Sequence, residues 1–415
     1  MVNSAQEKTQ QQELAPLATT LAKRLTPWFL KHQRDLAWRH TRDPYAIWVS
    51  EIMLQQTRVE TVKDYYSRFL ARFPDVGTLA AADEESVLEA WSGLGYYRRA
   101  RLLHRGARYV LESHDGVVPG TADTLRKVPG IGRYTAGAIT SIAFDRPAAL
   151  VDGNVARVVS RLLAIREPER QGANHAIHWE VAQAVLERGS PRVLAQALME
   201  LGATVCTPQS PSCSSCPVRS ACKAHAEGLS DSIPAKRKKI AQPVDDLWAL
   251  AIYWRGQLLL ERRPESGLLA GMWCLPLMDR ESATNATKKK AAKKKAAKKK
   301  AAKKKAAKKK AAKNRTPAKQ KALQAAAKTW VTAARIKQTL GMRVRASAAP
   351  DVSSASVRHV FTHRVWNLQP ARLEALARAK ATLDRSRYAW IAPGERPAGG
   401  LPKVTQKLLT SLGHQ

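Results

Sequence analysis

The sequence predicts two domains, an all-helical one over residues 15–230 and a mixed α/β one over residues 246–415. Three observations carry this reading. In the first half, apolar residues recur three and four apart, as in Leu70 and Phe73 or Val87, Leu88 and Trp91, the repeat of helices with one buried stripe. In the second half, LWALAIYWRGQLLLERR reads as two strands about a turn at Gly256. GMWCLPL, VRHVFTHRVWNLQPARL and YAWIAP add further β-like runs. Between the halves, Cys206, Cys213, Cys216 and Cys222 stand in the spacing C-x6-C-x2-C-x5-C, and Pro208, Pro211 and Pro217 make their segment a loop.

Taken in order, residues 1–14 are polar and are expected to be flexible. Pro44, Pro74, Pro119 and Pro129 then punctuate a series of helices. Within that series, VPGIGRYTAGAI places Gly130 and Gly132 in a tight turn ahead of a helix. Backbone N–H groups at such a helix start can face a phosphate, although a plain helix–turn–helix hairpin has the same pattern. Twenty residues on, VDGNVARV sets Asp152 beside a glycine, as a helix N-cap or as a functional carboxylate.

The four cysteines lie within seventeen residues, and the only other cysteine is Cys274. Their gaps are less even than the paired C-x2-C knuckles common around zinc, and four thiolates also suit an iron–sulfur centre. Residues 231–245 are basic and proline-bounded, with the character of a linker. Inside the second domain, residues 284–318 form a low-complexity insert built on an AAKKK repeat. It has no apolar stripe, so it buries no core. It reads as a solvated loop or as a sequence-blind tether to phosphates.

The formal charge is +36, and it is unevenly placed. Residues 1–230 hold 28 basic against 23 acidic residues, whereas residues 231–415 hold 42 against 11. Residues 288–313 contribute 16 lysines, and the chain would still carry +20 without them. Such an excess favours a polyanionic partner. No apolar run is long enough to span a membrane, and the polar start MVNSAQEKTQQQELA has no signal or transit pattern. Clustered thiols without a secretion signal imply a reducing compartment, so a cytoplasmic protein is expected.

The hairpin, the aspartate after it and the cysteine spacing together resemble the helix-hairpin-helix DNA glycosylases that carry an iron–sulfur cluster. LAWRHTRDPYAIWVSEIMLQQTRVETV, residues 36–62, and WSGLGYYRRARLLH, residues 91–104, narrow the resemblance to the MutY family of adenine DNA glycosylases. One departure is Leu102, where family members often have Asn. The resemblance implies an all-α glycosylase domain with a [4Fe–4S] loop on Cys206, Cys213, Cys216 and Cys222. It also implies an α/β Nudix-like C-terminal domain, carried by RRPESGLLAGMWCLPL and the FTH of RHVFTHRVW.

By the same resemblance the catalytic acid falls on Glu51, which sits among Ile47, Trp48, Val49, Ile52, Met53 and Leu54. A helix glutamate is ordinarily a solvated surface residue, but this apolar context can keep its carboxyl protonated near neutral pH. Asp152 would stabilise the sugar cation, with Tyr134 and Asn154 orienting the groups. Endonuclease III-type relatives carry a lysine where this chain has Tyr134, and a phenol forms no imine, so a monofunctional enzyme is implied. Gln56 and Tyr96 would fill the stack beside a flipped base. Arg34, Trp38, Arg39 and Glu200 would line the adenine pocket, with Gly130 and Gly132 in the hairpin. Phe361, Thr362 and His363 would probe an 8-oxoguanine opposite; many relatives have Ser at Thr362. The implied partner is duplex DNA holding an A:8-oxoguanine or A:G pair, bound by a monomer. Nudix hydrolysis is excluded, because residues 282–350 contain no Asp or Glu to hold Mg²⁺.

Overall fold

In a computed structural model the chain divides into two compact units, residues 1–239 and 240–415. The structure describes residues 4–168, 174–235, 241–280, 333–344, 355–377, 384, 386–397 and 400–414. The insert 284–318 and the centre of the 231–245 linker lie outside the described residues.

The first unit is helical throughout its described length. Its helices are α1 (Ser4–His32), α2 (Pro44–Leu54), α3 (Val59–Arg72), α4 (Val76–Ala81), α5 (Glu84–Ala90) and α6 (Arg98–His114). They continue with α7 (Ala122–Leu125), α8 (Arg133–Phe144), α9 (Gly153–Leu162), α10 (Asn174–Leu186), α11 (Pro191–Glu200) and α12 (Lys223–Ala226). Helix α1 begins at Ser4, within the stretch 1–14. Ala, Gln, Glu and Lys dominate that stretch, and all are good helix formers that can prolong the helix anchored by buried Leu21, Leu25 and Phe29.

Helix α2 occupies the centre. Asp43 caps it by accepting bonds from the N–H groups of Tyr45 and Ala46, and Pro44 holds the first helical position, where no N–H is needed. Residues Tyr45 to Met53 are all buried, so α2 has no solvent face. Helix α8 packs against both α2 and α11, and α9 against α10 and α11. The loop that leads from α8 to α9 folds back on α8 closely enough to require glycine. A Cβ built on Gly137 would lie 1.9 Å from the carbonyl oxygen of Ala149.

The second unit is a seven-stranded mixed sheet: β1 (Val244–Trp254), β2 (Gln257–Arg262), β3 (Trp273–Cys274), β4 (Leu277–Asp279), β5 (Val357–Val360), β6 (Val365–Glu374) and β7 (Tyr388–Ile391). The order β3-β2-β1-β6-β5 forms the main path, with β4 on β1 and β7 on β2. β1 and β6 run parallel from Val244 opposite Val365 to Tyr253 opposite Glu374. The expected turn at Gly256 joins β1 to antiparallel β2. Arg255 and Gly256 both have positive φ, 48° and 80°, as a two-residue hairpin of right-handed twist requires. β1 sends Leu247, Ala249, Ala251 and Tyr253 to one face, where helix Lys403–Ser411 contributes Val404 and Leu408. Trp248, Leu250 and Ile252 go to the other face, against Ile336 and Leu340 of helix Ala333–Leu340. Burial on both faces explains why β1 reads as an unbroken apolar run.

Gly137→Ala should therefore lower the stability of the first unit by about 3 kcal/mol or more, because backbone must move to admit the methyl group. Gly132→Ala is the control, since a Cβ there meets nothing within 4 Å and its φ is −89°. Thermal unfolding of the two variants checks this, and an unaltered Gly137→Ala midpoint would refute the close approach.

Candidate active site

A cleft of about 800 Å³ opens in the first unit where the ends of α2, α8, α9 and α11 converge. Arg34, Trp38, Arg39, Glu51, Gln56, Gly130, Gly132, Tyr134, Asp152, Asn154 and Glu200 all line it. Residues up to 166 positions apart in the chain are thus gathered by helix ends rather than by sequence proximity. Tyr96 lies outside this lining, and Phe361, Thr362 and His363 belong to the second unit.

Glu51 projects from α2 and is 5% exposed. Burial pushes its pKa up to about 7, against a hydrogen bond from Tyr134 that favours the ionised form; the negative field of Asp152 adds to the rise. Tyr134, on the first turn of α8, donates to Glu51 Oε2 at 2.9 Å and approaches Met199 Sδ at 3.3 Å. Burial, then the charges of Glu51 and Asp152, raise the Tyr134 pKa well above its ordinary value, so the phenol stays a donor.

Asp152 is the N-cap of α9, and the cap geometry is what aims it. Its Oδ1 accepts from the Val155 N–H at 2.7 Å and its Oδ2 from Asn154 Nδ2 at 2.9 Å. The capping residue also lines the cleft. Burial raises its pKa, and these two donors, with Arg157, oppose the rise. Arg157 is a residue that motif reading missed. It donates to Asn154 Oδ1 at 2.8 Å, to the Gly202 carbonyl at 2.7 Å and to the Cys206 carbonyl at 2.8 Å. The sequence signal was an arginine placed on the buried Val155, Val158, Val159 stripe of α9.

Glu200, fully buried at the end of α11, is occupied by arginines. Oε1 accepts from Arg34 N and Nε, and Oε2 accepts from Arg34 Nη2 at 2.7 Å and Arg39 Nη2 at 2.6 Å. Burial alone would raise its pKa, but the Arg34 and Arg39 bonds hold it down at about 2. The pair fixes two guanidinium groups on the cleft wall. Trp38 lines the cleft but is 7% exposed and packs edge-to-face on Tyr66, so it also serves the core. Of the two hairpin glycines, only Gly130 is conformationally required: its φ is +87°, and a Cβ there would meet Leu102 Cβ at 2.7 Å.

After α11 the chain makes a π-helical turn, Leu201–Val205, closed by Cys206 N donating to the Leu201 carbonyl at 2.7 Å. It delivers Cys206 to a small cavity that Cys213, Cys216 and Cys222 also line. All four are free thiols, and Arg161 Nη1 donates to Cys206 Sγ at 3.2 Å. Among the described residues no three metal-binding side chains converge on a single ion. Four thiols lining one cavity are a donor set that suits a metal centre held by thiolates. Burial pushes the Cys216 pKa up to about 11, with the other three thiols adding repulsion that a cationic centre would relieve.

In the second unit, Phe361 is packed edgewise on His359 and Trp366, with centroids at 4.6 and 4.8 Å. Gln242 Nε2 donates to the carbonyls of Phe361 and Thr362 at 3.2 and 2.8 Å. Thr362 and His363 are exposed beside them.

This fold and cleft are those of a base-excision repair scaffold. Residues 49–183 match the HhH-GPD superfamily of base excision DNA repair proteins, and residues 247–411 match the NUDIX domain. The adenine DNA glycosylase of Rattus norvegicus is 40% identical over 63% of this chain and 61% of its own length. That of Buchnera aphidicola subsp. Baizongia pistaciae is 34% identical over 60% of this chain and 71% of its own. The solved structure of a thermostable thymine-DNA glycosylase is similar at a TM-score of 0.46 and 29% identity, over 52% of this chain and 98% of that one. The chain belongs to the adenine DNA glycosylase family. It spans about three-fifths of the length of the rat relative.

The buried carboxyl has a stability cost with a defined pH window. Glu51 holds its proton to about pH 7 when folded, whereas an unfolded glutamate releases it near 4.5. Stability is thus full below the unfolded value and falls as pH rises from about 4.5 to about 7, by about 3 kcal/mol. Glu51→Gln should raise the melting temperature at pH 8 but barely at pH 4, and an equal shift at both would refute the raised pKa.

Proposed function

We propose that the protein is a monofunctional DNA glycosylase that excises adenine paired with 8-oxoguanine, or with guanine, from duplex DNA. The observation that carries this reading is Glu51, a carboxyl with a pKa near 7, sharing a cleft with Asp152 and bonded to a phenol where a lyase would need an amine. Adenine inside a duplex is out of reach, so the nucleotide must first be extruded into the cleft. Protonated Glu51 gives its proton to N7 of the base. The C1′–N9 bond then breaks, its electrons leaving with adenine, and an oxocarbenium-like sugar remains. Asp152, ionised and fixed by Val155 and Asn154, stabilises that cation. Water adds to C1′, and Glu51 takes up the proton. Arg34, Trp38 and Arg39 would bound the base, with Glu200 holding the two guanidinium groups in place.

Cys206, Cys213, Cys216 and Cys222 would hold a [4Fe–4S] cluster. It would brace the loop that carries exposed Arg219 and Lys223 toward phosphates. Purified protein should then contain iron and acid-labile sulfide in equal amounts; zinc in their place would overturn the assignment. Phe361, Thr362 and His363 would read the base opposite adenine, on a loop held by Gln242. The protein would act on DNA as a monomer.

Single-turnover cleavage of duplexes holding one A opposite 8-oxoguanine, G, C or T tests the reading. Product from the 8-oxoguanine duplex only after alkali is expected; breaks without alkali would mean a lyase. Glu51→Gln should slow excision by about 10²–10⁴-fold, the usual contribution of a positioned acid–base group. The wild-type rate should fall as pH rises through about 7, because the acid must carry its proton. A rate independent of pH across that range would remove Glu51 from the role.

A further inference from the structure

Two exposed residues beside the cleft hold backbone conformations that side chains rarely adopt. Gln56, just past the end of α2, has φ 57°, and Tyr96, just before α6, has φ 49°. Tyr96 is also among the exposed large aromatics, at 47%. Left-handed backbone at non-glycine residues persists only where the surroundings over-determine it.

Arg99 supplies that determination. It lies on the first turn of α6 and is 8% exposed. Nη1 donates to the carbonyls of Ile52 at 2.7 Å, Met53 at 2.8 Å and Gln55. Nη2 donates to Thr57 Oγ1 at 3.0 Å and to the Gly95 carbonyl at 3.2 Å. The guanidinium carbon also lies 5.4 Å from the ring centroids of both Trp91 and Tyr96. One buried fork therefore bonds the residues on both sides of Gln56 and the residue preceding Tyr96. It caps the open carbonyl end of α2 and ties that end to the turn before α6, two segments some forty residues apart in the chain. Lysine cannot reproduce this, because its single ammonium cannot span five acceptors in a plane.

We infer that Arg99 is a positioning residue for base extrusion, holding Gln56 and Tyr96 at a fixed separation so that both enter the duplex together at the vacated site. This rests on the proposed adenine excision. Its effect is confined to unstacking and capture of the nucleotide; the bond-breaking groups Glu51 and Asp152 are not among its partners.

The test compares wild-type, Arg99→Lys, Tyr96→Ala and the double variant in single-turnover excision. One substrate holds adenine opposite 8-oxoguanine, the other adenine opposite an abasic site, where less stacking must be broken. Unstacking is read separately from the fluorescence of 2-aminopurine next to the target, in a Glu51→Gln background whose turnover is slowed. Arg99→Lys should slow excision from the paired substrate by about 100-fold, the scale of a small misplacement. It should slow excision from the abasic substrate far less, lose the unstacking signal, and add little to Tyr96→Ala. Equal losses on both substrates, an intact unstacking signal, or full additivity with Tyr96→Ala would overturn the inference. If Arg99→Lys does not fold, Thr57→Val, which deletes one acceptor, should show the same pattern at smaller size, and its absence would overturn the inference as well. A wild-type protein that unstacks DNA yet excises no adenine would refute the proposed activity and leave Arg99 still testable by fluorescence.

Discussion

The first unit is organised around a carboxyl group almost wholly withdrawn from solvent. Helix α2 is buried on every side, and Glu51 is the acid it carries. Ionising that group in apolar surroundings is unfavourable, which lifts its pKa to about 7 and makes it a proton donor at neutral pH. The same burial burdens the fold. The surrounding helices must be packed closely enough to exclude solvent. The phenol of Tyr134 donates to the carboxyl and so favours its ionised form, but burial outweighs that bond and the pKa stays raised.

A cleft formed where helices end creates a second problem, since the last carbonyls of a helix have no partners within it. Buried and half-buried guanidinium groups take some of these carbonyls and others in the loops. Arg99 takes the carbonyls at the end of α2, and Arg192 those of Ile142, Arg39 and Thr41. Arg157 takes those of Gly202 and Cys206, and Arg161 those of Thr207 and Ile233. Arginine suits this work because its charge persists when buried and its donors form a fixed fork. Arg157 also touches Asn154, which holds Asp152. The cysteine loop is thereby joined by hydrogen bonds to the residue that orients one of the two carboxyls. The π-helical turn Leu201–Val205 completes this link by carrying the backbone from Glu200 directly to Cys206.

The second unit is built on a seven-stranded mixed sheet. Its sheet is covered on both faces, and it matches the NUDIX domain along nearly its whole length. Yet the helix Ala333–Leu340, which packs on one face, carries Arg335 and Lys337 and no acid. A divalent cation needs carboxylate oxygens, and residues 282–350 provide none. What the unit offers instead is a short loop, Phe361 to His363, steadied by aromatic packing and by Gln242.

The sequence by itself determined the helical and β halves, the hairpin at Gly256 and the glycine turn at Gly130. Each follows from local periodicity or from a backbone angle that few residues can adopt. It also marked Glu51, through an acid set within an apolar run, and the cysteine loop, through spacing and prolines. Tertiary structure alone decided that Asp152 is both cap and candidate catalyst, that Glu200 is held by two arginines rather than open to a ligand, and that Tyr96 stands apart from the cleft lining. It decided too that Arg99 and Arg157 bind segments distant in the chain. The physical reason is the range of the interactions. Helix and turn preferences act over a few residues and are written in order along the chain. A buried guanidinium or carboxyl acquires its partners only when packing brings remote helix ends within hydrogen-bonding distance.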